Sequence, residues 1–376
     1  MAISTSKRVI VSVTNDLVTD QRVDKVCNTL VAMGFSVTLV GRRKTDSSTM
    51  VSRAYQTHRM RLLWEKGPLF YAEYNLRLFF YLLTNNVDLL VSNDLDTLLP
   101  NYLISRIRRL PLVYDSHEYY TETPELVNRP RIQRSWKTLE RNIFPKLTDV
   151  ITVNESIARL YENKYKVTVN VVRNIPRFVN IPATETRSSL SLPSDKYIIL
   201  MQGAGINIQR GAEEAVEAMQ YLPDCVLLII GGGDVLELLK EKTIMLNLFD
   251  KVIFIPKQSY ARLREYTANA DIGLTIDKDT NLNYRFSLPN KLFDYIHSGL
   301  PVLASRLPEI SRIIEKYKVG SFIENHDPQH IAEKINGMLA DKQKMSEYKA
   351  NATLATKELN WQNEEKVLIN IYTKYV

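Results

Sequence analysis

Short apolar segments alternate with longer helical patterns along most of the chain, and this alternation starts twice. Such alternation indicates a parallel β-sheet, because two adjacent parallel strands need a crossover connection that is usually a helix. The pattern therefore predicts an α/β fold made of two tandem, doubly wound, Rossmann-like domains. The apolar segments are residues 9–13, 37–40, 88–92, 111–115 and 150–153, followed by 198–201, 226–230, 252–255, 272–276, 301–305 and 320–323.

A break between the two series marks the domain boundary. Residues 174–194 contain three prolines among Thr and Ser, a composition typical of interdomain linkers. We therefore predict an N-terminal domain over residues 1–178 and a C-terminal domain over residues 179–358.

The last segment, residues 359–376, has a helical pattern with no strand after it. Leu368, Ile371 and Tyr372 recur at helical spacing and need an apolar surface to cover. We expect this C-terminal helix to pack back on the N-terminal domain.

Composition places the chain among soluble globular proteins. Its 376 residues are 45% hydrophobic and 24% charged, and no apolar run reaches the length of a membrane span. The N-terminus lacks the apolar stretch of a signal peptide. Cys27 and Cys225 have no metal-type neighbours, so both are interpreted as reduced core residues. These features predict a cytoplasmic protein.

The net charge of +7 is unevenly distributed. Lys and Arg outnumber Asp and Glu by nine in residues 1–180, whereas acidic residues lead by two in residues 181–376. A basic half is typical of proteins with an anionic ligand, membrane surface or nucleic acid as partner. The arginines are spread over several predicted elements without a nucleic-acid motif, so nucleic acid is not an expected partner.

Basic and aromatic residues are interleaved in residues 53–80, where Arg61, Lys66 and Arg77 alternate with Trp64 and Phe80. One interpretation is an interface with an anionic membrane, which implies a lipid-linked acceptor and a peripheral location on the inner membrane face. The other is a core helix with a solvated basic edge. The sequence leaves both open.

The segment 285–305 is the strongest candidate for a binding site. A helix opened by Ser287 to Pro289 presents free backbone N–H groups and the positive end of its dipole, which favour an anion. Asp294 lies one turn into this helix and can accept two hydroxyl donors. Gly299 ends the helix before an apolar strand. A nucleoside diphosphate with its ribose suits this arrangement, although an ordinary capped helix has the same pattern.

Two glycine-bearing turns follow the first two strands of the second half. Gly203 and Gly205 precede Arg210, and Gly232 and Gly233 follow the next strand. Glycines permit close backbone approach to a phosphate, and both turns face the same sheet edge as the 285–305 helix. No acidic residue stands in the register that dinucleotides require, so a nicotinamide cofactor is disfavoured.

Three segments in this order resemble the C-terminal domain of family 4, GT-B fold glycosyltransferases. They are QGAGINIQRGAEEAVEAM at 202–219, IIGGGD at 229–234 and SLPNKLFDYIHSGLPVLAS at 287–305. The resemblance implies a retaining, metal-independent transfer from a UDP- or GDP-sugar, with no other cofactor. It also implies a glycan or lipid-linked acceptor and a role in assembling cell-surface polysaccharide or glycoconjugate. By this resemblance Arg210 holds the donor diphosphate and Asp294 binds the ribose hydroxyls.

The chain departs from the family pattern at two positions. Phe286 stands where the first glutamate of the paired-glutamate motif is expected, and Ala204 stands where an arginine often follows the strand glycine. Lys291 or Arg285 would then supply positive charge, and backbone N–H groups near Asn290 would contact the sugar. The donor sugar remains open.

The first half carries the acceptor-side candidates. His117 follows the predicted strand at 111–115, and the family has a histidine there that points at the transferred sugar. By the resemblance His117 orients the sugar or assists the acceptor. Asn15, Asp16 and Arg22 resemble the family's N-terminal loop, which closes over donor and acceptor.

Other interpretations of the chain remain. Asp277 and Asp279 form a D-x-D string, but their position in a loop indicates a solvated turn rather than a metal site, and no metal is expected. A sugar-nucleotide 2-epimerase would use carboxylates such as Asp94, Asp96 and Glu118 as acid and base. A non-catalytic protein that binds nucleotide or glycan as a partner in an assembly pathway is the third candidate.

Overall fold

The computed structural model describes residues 6–18, 20–45, 47, 49–179 and 183–376. The chain divides into two compact units, one of residues 1–174 with 364–376 and the other of residues 175–363. Each unit is built on one parallel β-sheet with connecting helices. The predicted fold class is confirmed, including the return of the C-terminal helix to the first unit.

The first unit contains a seven-stranded sheet in the order β3-β2-β1-β4-β5-β6-β7. Its strands are β1 (Arg8–Asp16), β2 (Ser36–Arg43), β3 (Gln56–Arg61), β4 (Leu89–Asn93), β5 (Leu112–Ser116), β6 (Asp149–Thr152) and β7 (Val169–Val171). Its helices are α1 (Gln21–Ala32), α2 (Gly67–Thr84), α3 (Leu95–Arg108), α4 (Pro124–Val127), α5 (Pro130–Ile143) and α6 (Glu155–Tyr165).

The second unit repeats the same winding in a six-stranded sheet with the order β10-β9-β8-β11-β12-β13. Its strands are β8 (Tyr197–Gly203), β9 (Cys225–Gly231), β10 (Val252–Pro256), β11 (Ile272–Thr275), β12 (Val302–Ser305) and β13 (Gly320–Ile323). Its helices are α7 (Ala212–Ala218), α8 (Leu236–Met245), α9 (Tyr260–Ala268), α10 (Leu282–Arg285), α11 (Asn290–His297), α12 (Pro308–Tyr317), α13 (Pro328–Ala340) and α14 (Lys342–Ala355). Helix α15 (Trp361–Thr373) runs from this unit into the first.

The central strands are buried along their whole length, as in β4, β5, β6 and β11. Helices cover both faces of a doubly wound parallel sheet, so its strands contain continuous apolar runs rather than alternating ones. Every apolar segment predicted from the sequence overlaps a strand, with its bounds within one residue of the strand where it extends beyond it. Strands β3 and β7 were not predicted.

Helix α15 anchors the end of the chain in the first unit. Leu368 and Tyr372 are fully buried. The carboxylate of Glu364 accepts two hydrogen bonds from Arg173, one from the backbone N–H at 2.7 Å and one from the guanidinium Nη2 at 2.5 Å. The return of this helix therefore completes the core of the first unit. Within the described residues, no helix combines the length and the apolar character that crossing a bilayer requires.

We predict that Leu368→Ala destabilises the protein by about 2–5 kcal/mol, because it opens a cavity in this core. Val367→Ala is the matched control, since Val367 is 40% exposed on the same helix, and it is expected to cost less than about 0.5 kcal/mol. Urea unfolding followed by circular dichroism measures both. Equal losses from the two variants would contradict the buried placement of α15.

Candidate functional site

Helix α11 has one apolar face in the core and one polar face outside it. Leu292, Phe293, Tyr295 and Ile296 are buried. Lys291 and Asp294 lie three residues apart and share the remaining, partly exposed face. Pro289 precedes the first helical residue, and Gly299 adopts a left-handed φ of +66° just after the helix. The helix therefore begins and ends where the sequence predicted.

Asp294 is held by two side chains. Its Oδ2 accepts a hydrogen bond from Gln202 Nε2 at 3.2 Å, and its Oδ1 accepts one from the Tyr260 hydroxyl at 3.2 Å. Gln202 Oε1 in turn accepts from Thr267 Oγ1 at 2.7 Å. These contacts fix the orientation of the carboxylate. Sequence reasoning missed Gln202 and Tyr260. The only signal for Gln202 was a polar residue at the end of an apolar strand.

The two glycine turns lie directly against each other. The N–H of Gly232 donates to the carbonyl of Gly203 at 3.1 Å, and the N–H of Ile206 donates to that of Gly232 at 2.8 Å. A Cβ on Gly231, which has φ of +136°, would stand 1.8 Å from the Gly203 oxygen. A Cβ on Gly233 would stand 1.9 Å from the Ile206 oxygen. Gly231 and Gly233 are thus required by the packing of one turn on the other.

Gly203, Gly205 and Gly232 are less crowded. The nearest atom that a Cβ on any of them would meet lies 3.7 Å or more away. Gly203 has φ of +157°, and Gly205 faces the side chain of Asn207. A phosphate-binding role of these glycines and of Gly233 remains a prediction.

Arg210 is joined to a buried carboxylate. Its guanidinium Nη1 lies 3.2 Å from Asp277 Oδ1 and its guanidinium carbon 4.6 Å from the centre of the Tyr284 ring. Lys291 Nζ lies 3.8 Å from Asp277 Oδ2. Asp277 therefore brings Arg210 and Lys291 together at the carboxyl end of β11. Lys291 is also one helical turn from Asp294 on α11.

The D-x-D string corrects one sequence interpretation. Asp277 is 0% exposed and is not part of a solvated turn. Its charge is met by two cations that are remote in sequence. Asp279 is half-exposed and pairs with Arg285 at 2.9 Å, so the expected solvated turn describes Asp279 alone. Arg285 is therefore occupied, which leaves Lys291 as the second cation beside Arg210. Asn290 is exposed at the start of α11.

Burial and charge act in opposite directions on these cations. Burial lowers the pKa of Arg210, but the carboxylate of Asp277 outweighs it and the pKa is raised. Burial also lowers the pKa of Lys291, and the neighbouring charge of Arg210 adds to that lowering while Asp277 opposes it. Asp277 thus favours the charged form of both side chains.

His117 is surrounded by polar groups in the first unit. Its Nε2 lies 3.0 Å from Asn93 Oδ1 and 3.6 Å from Asp115 Oδ2, and its Nδ1 lies 3.4 Å from Asp94 Oδ2. The backbone N–H of His117 donates to Asp94 Oδ1 at 2.8 Å. Asp94 has a left-handed φ of +58°, a strained conformation for this residue type. The imidazole therefore has a fixed orientation.

Arg22 is buried against Asp115, the neighbour of His117, rather than exposed on a surface loop. Its Nε and Nη2 donate to Asp115 at 3.1 and 2.7 Å, and its Nη1 donates to the carbonyl of Val172 at 2.7 Å. The two charged side chains are 3% and 2% exposed. The sequence grouped Arg22 with an acceptor-side loop, whereas its buried guanidinium is used to hold Asp115.

Electrostatics favour a charged imidazole. Burial alone lowers the pKa of His117, but the carboxylates of Asp94 and Asp115 outweigh burial and raise the pKa from 6.5 to about 9. Burial raises the pKa of Asp115, but Arg22 and His117 outweigh it and hold that pKa well below its usual range. Burial and the charge of Asp94 raise the pKa of Asp96 to about 7. Asp96 Oδ2 accepts a hydrogen bond from Thr14 at 2.5 Å.

Asn15 and Asp16 end β1. Asn15 is exposed, and its Nδ2 donates to Asp20 Oδ2 at 3.1 Å. Asp16 accepts hydrogen bonds from Ser47 Oγ, from the N–H of Val18 at 3.2 Å and from Arg59 at 2.9 Å. Asp16 thus fastens this loop to β3, and the exposed Asn15 is the residue of the two with more access to a ligand.

Helix α2 is apolar on two faces. Phe70, Tyr74, Leu78 and Leu82 are buried in the core. The opposite face, which we call the exposed α2 face, consists of Leu69, Ala72, Leu76, Phe80 and Leu83. Helix α3 packs against α2 and exposes Leu99, Leu103 and Ile107. Within residues 53–80, residues 56–61 form β3, so the interpretation as a core helix is wrong there. It is right only for α2, and there for only one face.

Two family models match consecutive parts of the chain. Residues 20–181 match the model described as Glycosyltransferase Family 4, and residues 182–355 match the one described as Glycosyl transferases group 1. A D-inositol 3-phosphate glycosyltransferase of Xylanimonas cellulosilytica is 24% identical over 196 residues, which is 51% of this chain and 45% of that protein. The chain spans about half the length of the curated relatives it matches.

Solved structures resemble nearly the whole chain. Sucrose-phosphate synthase from Thermosynechococcus elongatus has a TM-score of 0.78 at 17% identity, covering 98% of both chains. Anabaena HepE in complex with UDP-glucose has a TM-score of 0.73 at 14% identity, covering 98% of this chain and 99% of that one. At such identities the likeness shows a shared fold.

We predict that the His117 imidazole titrates near pH 9, because the carboxylates of Asp94 and Asp115 stabilise its charged form. A pKa raised on folding contributes stability that is fully present below about 6.5 and is lost as the pH rises through 9. Asp94→Asn is expected to lower the midpoint by about 1–2 pH units. Histidine NMR resonances measure the midpoint, and the His117 resonance is assigned by its loss in His117→Gln. A His117 midpoint at or below 6.5 would contradict the charged site.

Proposed function

Because the chain belongs to family 4 of the GT-B glycosyltransferases, we propose that it transfers a sugar from a nucleoside diphosphate donor to a hydroxyl group of a glycan or lipid-linked acceptor. We propose retention of the anomeric configuration and a reaction without a metal ion, in the assembly of cell-surface polysaccharide or glycoconjugate. The observation that supports this most is that Arg210 and Lys291 meet at Asp277, and that Lys291 is one helical turn from Asp294 on α11.

The cation pair suits the leaving group of such a reaction. A departing nucleoside diphosphate develops negative charge, and fixed donors in a partly buried site stabilise that charge strongly. Arg210, Lys291 and the first N–H groups of α11 supply donors and positive charge of this kind. The chain's own cations would thus provide the charge stabilisation that a metal ion provides in other enzymes.

Asp294 suits the ribose of the donor. A carboxylate accepts hydrogen bonds from two neighbouring hydroxyl groups, and Gln202 and Tyr260 hold Asp294 in place. The complex of HepE with UDP-glucose, a protein of the same fold, supports a nucleotide-sugar ligand. The choice between uridine and guanosine is open.

The charged imidazole of His117 suits sugar or acceptor oxygens. It is an N–H donor whose orientation is fixed by Asp94, Asn93 and Asp115. We propose that His117 acts on an oxygen of the transferred sugar or of the acceptor through its positive charge, and that Asn15 contributes to acceptor binding.

We predict that Arg210→Ala lowers kcat/KM for transfer by about 10²–10³-fold, the usual cost of removing one transition-state donor. Asp294→Ala is expected to raise the dissociation constant of the donor nucleotide by about 10–100-fold, because a charged hydrogen-bond acceptor is lost. Nucleoside diphosphate release from UDP- and GDP-sugars measures turnover, and calorimetry measures binding. The control is Lys240→Ala, a half-exposed lysine on α8.

The products distinguish the alternatives. Release of nucleoside diphosphate with a glycosylated acceptor supports transfer, whereas an epimerised sugar nucleotide without release identifies a 2-epimerase. Binding without turnover identifies a non-catalytic nucleotide-binding protein. If Arg210→Ala and Asp294→Ala retain full turnover while folded, the assignment of the donor site is wrong.

We further propose that the acceptor is presented at an anionic membrane surface. The exposed α2 face offers Leu76 and Phe80 to a partner, and Arg77 and Lys66 are exposed on the same helix or next to it. An apolar stripe bordered by cations is complementary to the interface of a bilayer that contains anionic lipid. This geometry supports a peripheral location on the inner membrane face.

We predict that the protein co-sediments with phosphatidylcholine vesicles containing phosphatidylserine at low salt. The double variant Leu76→Glu with Phe80→Glu is expected to weaken binding about tenfold or more, because two apolar side chains no longer enter the interface. Leu354→Glu is the matched control, since Leu354 and Leu76 are both 59% exposed and Leu354 lies on α14 of the other unit. Wild-type protein left in the supernatant would contradict the membrane proposal.

A further inference from the structure

Asp277 is a buried carboxylate at the carboxyl edge of the second sheet to which the proposed reaction gives no role. It follows β11, is 0% exposed, and accepts a hydrogen bond from Arg210 through Oδ1. Its Oδ2 accepts no hydrogen bond from the described residues, and Lys291 Nζ stands 3.8 Å from it. A buried ionised carboxylate costs several kcal/mol of desolvation unless cations and hydrogen bonds offset it. Burying the carboxylate of Asp277 therefore carries a desolvation cost, which Arg210 and Lys291 offset.

The two cations on Asp277 are held differently. Arg210 is hydrogen-bonded to Asp277 and stacked over the Tyr284 ring, so two contacts fix its guanidinium. Lys291 is beyond hydrogen-bond distance from Asp277, and its flexible stem ends in three rotatable donors. Arg210 is thus the fixed cation of the pair, and Lys291 is the cation able to turn toward a ligand.

Without Asp277, Arg210 and Lys291 would be two like charges in a partly buried site. Such charges repel, and burial already disfavours the charged form of Lys291. The carboxylate between them compensates for both effects. It also leaves the three side chains with a net charge of about +1, which suits an anion.

We propose that Asp277 is a positioning residue of the donor site, which holds Arg210 and Lys291 together so that Lys291 closes on the diphosphate. This inference rests on the proposed function, because it assigns the diphosphate to that site. Asp277 acts through the two cations and makes no contact with the ligand.

The test is a double-mutant cycle on binding of UDP, GDP and inorganic pyrophosphate, measured by calorimetry at one pH. Asp277→Asn is expected to weaken binding of all three by about tenfold or more, the cost of disturbing a charged contact. In a Lys291→Met background the same substitution is expected to weaken binding clearly less than it does in the wild type, because only the contact of Asp277 with Arg210 remains to be lost. Asp279→Asn, the neighbouring exposed carboxylate, is the control and is expected to bind like the wild type.

The outcomes separate positioning from simple repulsion. If Asp277 only repelled the anion, Asp277→Asn would bind pyrophosphate as well as the wild type or more tightly, and the inference would be overturned. Asp277→Glu keeps the charge and is expected to retain binding within about fivefold. Asp277→Glu therefore tests the inference if Asp277→Asn does not fold. If Asp277→Glu binds pyrophosphate more weakly than Lys291→Met does, the inference is also overturned.

A comparison with Arg210→Ala and Asp294→Ala identifies which proposal fails. If these two variants weaken UDP binding and Asp277→Asn does not, only the role of Asp277 is wrong. If none of the three variants changes the binding of nucleotide or pyrophosphate, the proposed donor site itself is wrong.

Discussion

All strands in both sheets run parallel, and the position of every candidate residue depends on this. Helices cover both faces of each sheet, so the interiors of the central strands are mainly apolar and their charged side chains lie near the strand ends. Parallel strands collect their carboxyl ends at one edge, where ligands of doubly wound folds bind. Asn93 and Asp115 stand at this edge in the first unit, and Gln202 and Asp277 stand there in the second. The topology thus gathers residues that are remote in sequence.

The same kind of ion pair has different consequences in the two units. Arg22 uses all three guanidinium nitrogens on Asp115 and a backbone carbonyl, and both side chains are buried, so this pair is closed to a ligand. Arg210 makes one hydrogen bond to Asp277 and is partly exposed, and its buried Nε has no partner among the described residues. A buried pair with all donors satisfied orients its neighbours, as Arg22 and Asp115 do for His117. A pair with donors to spare can bind an anion.

The strands and the order of the site segments were predictable from sequence, but the contacts of individual charged residues were not. Buried parallel strands leave long apolar runs, and β13 was predicted at its observed bounds. Strand β3 lies at the sheet edge with mostly exposed polar side chains, so it has no such run. The sequence predicted a solvated Asp277 because its partners Arg210 and Lys291 are remote in sequence. It placed Arg22 in an acceptor-side loop because the partners of Arg22, Asp115 and the carbonyl of Val172, are also remote. Burial of a charge depends on tertiary contacts, which a local pattern does not contain.

The position of Phe286 bears on the sugar that this chain can accept. The family's first glutamate is absent there, and Asp277 and Asp294 are two carboxylates at the same edge of the sheet. Asp277 is neutralised by Arg210 and Lys291, and Asp294 is held by Gln202 and Tyr260. Asp277 thus faces two cations and Asp294 is the carboxylate assigned to the ribose, so neither is expected to replace the missing glutamate at the transferred sugar. Backbone N–H groups at the start of α11 are hydrogen-bond donors, whereas a glutamate is an acceptor, and a sugar hydroxyl can meet either because its oxygen accepts and its hydrogen donates. On the proposed function, Phe286 in place of the glutamate therefore removes an acceptor and a negative charge from the sugar subsite.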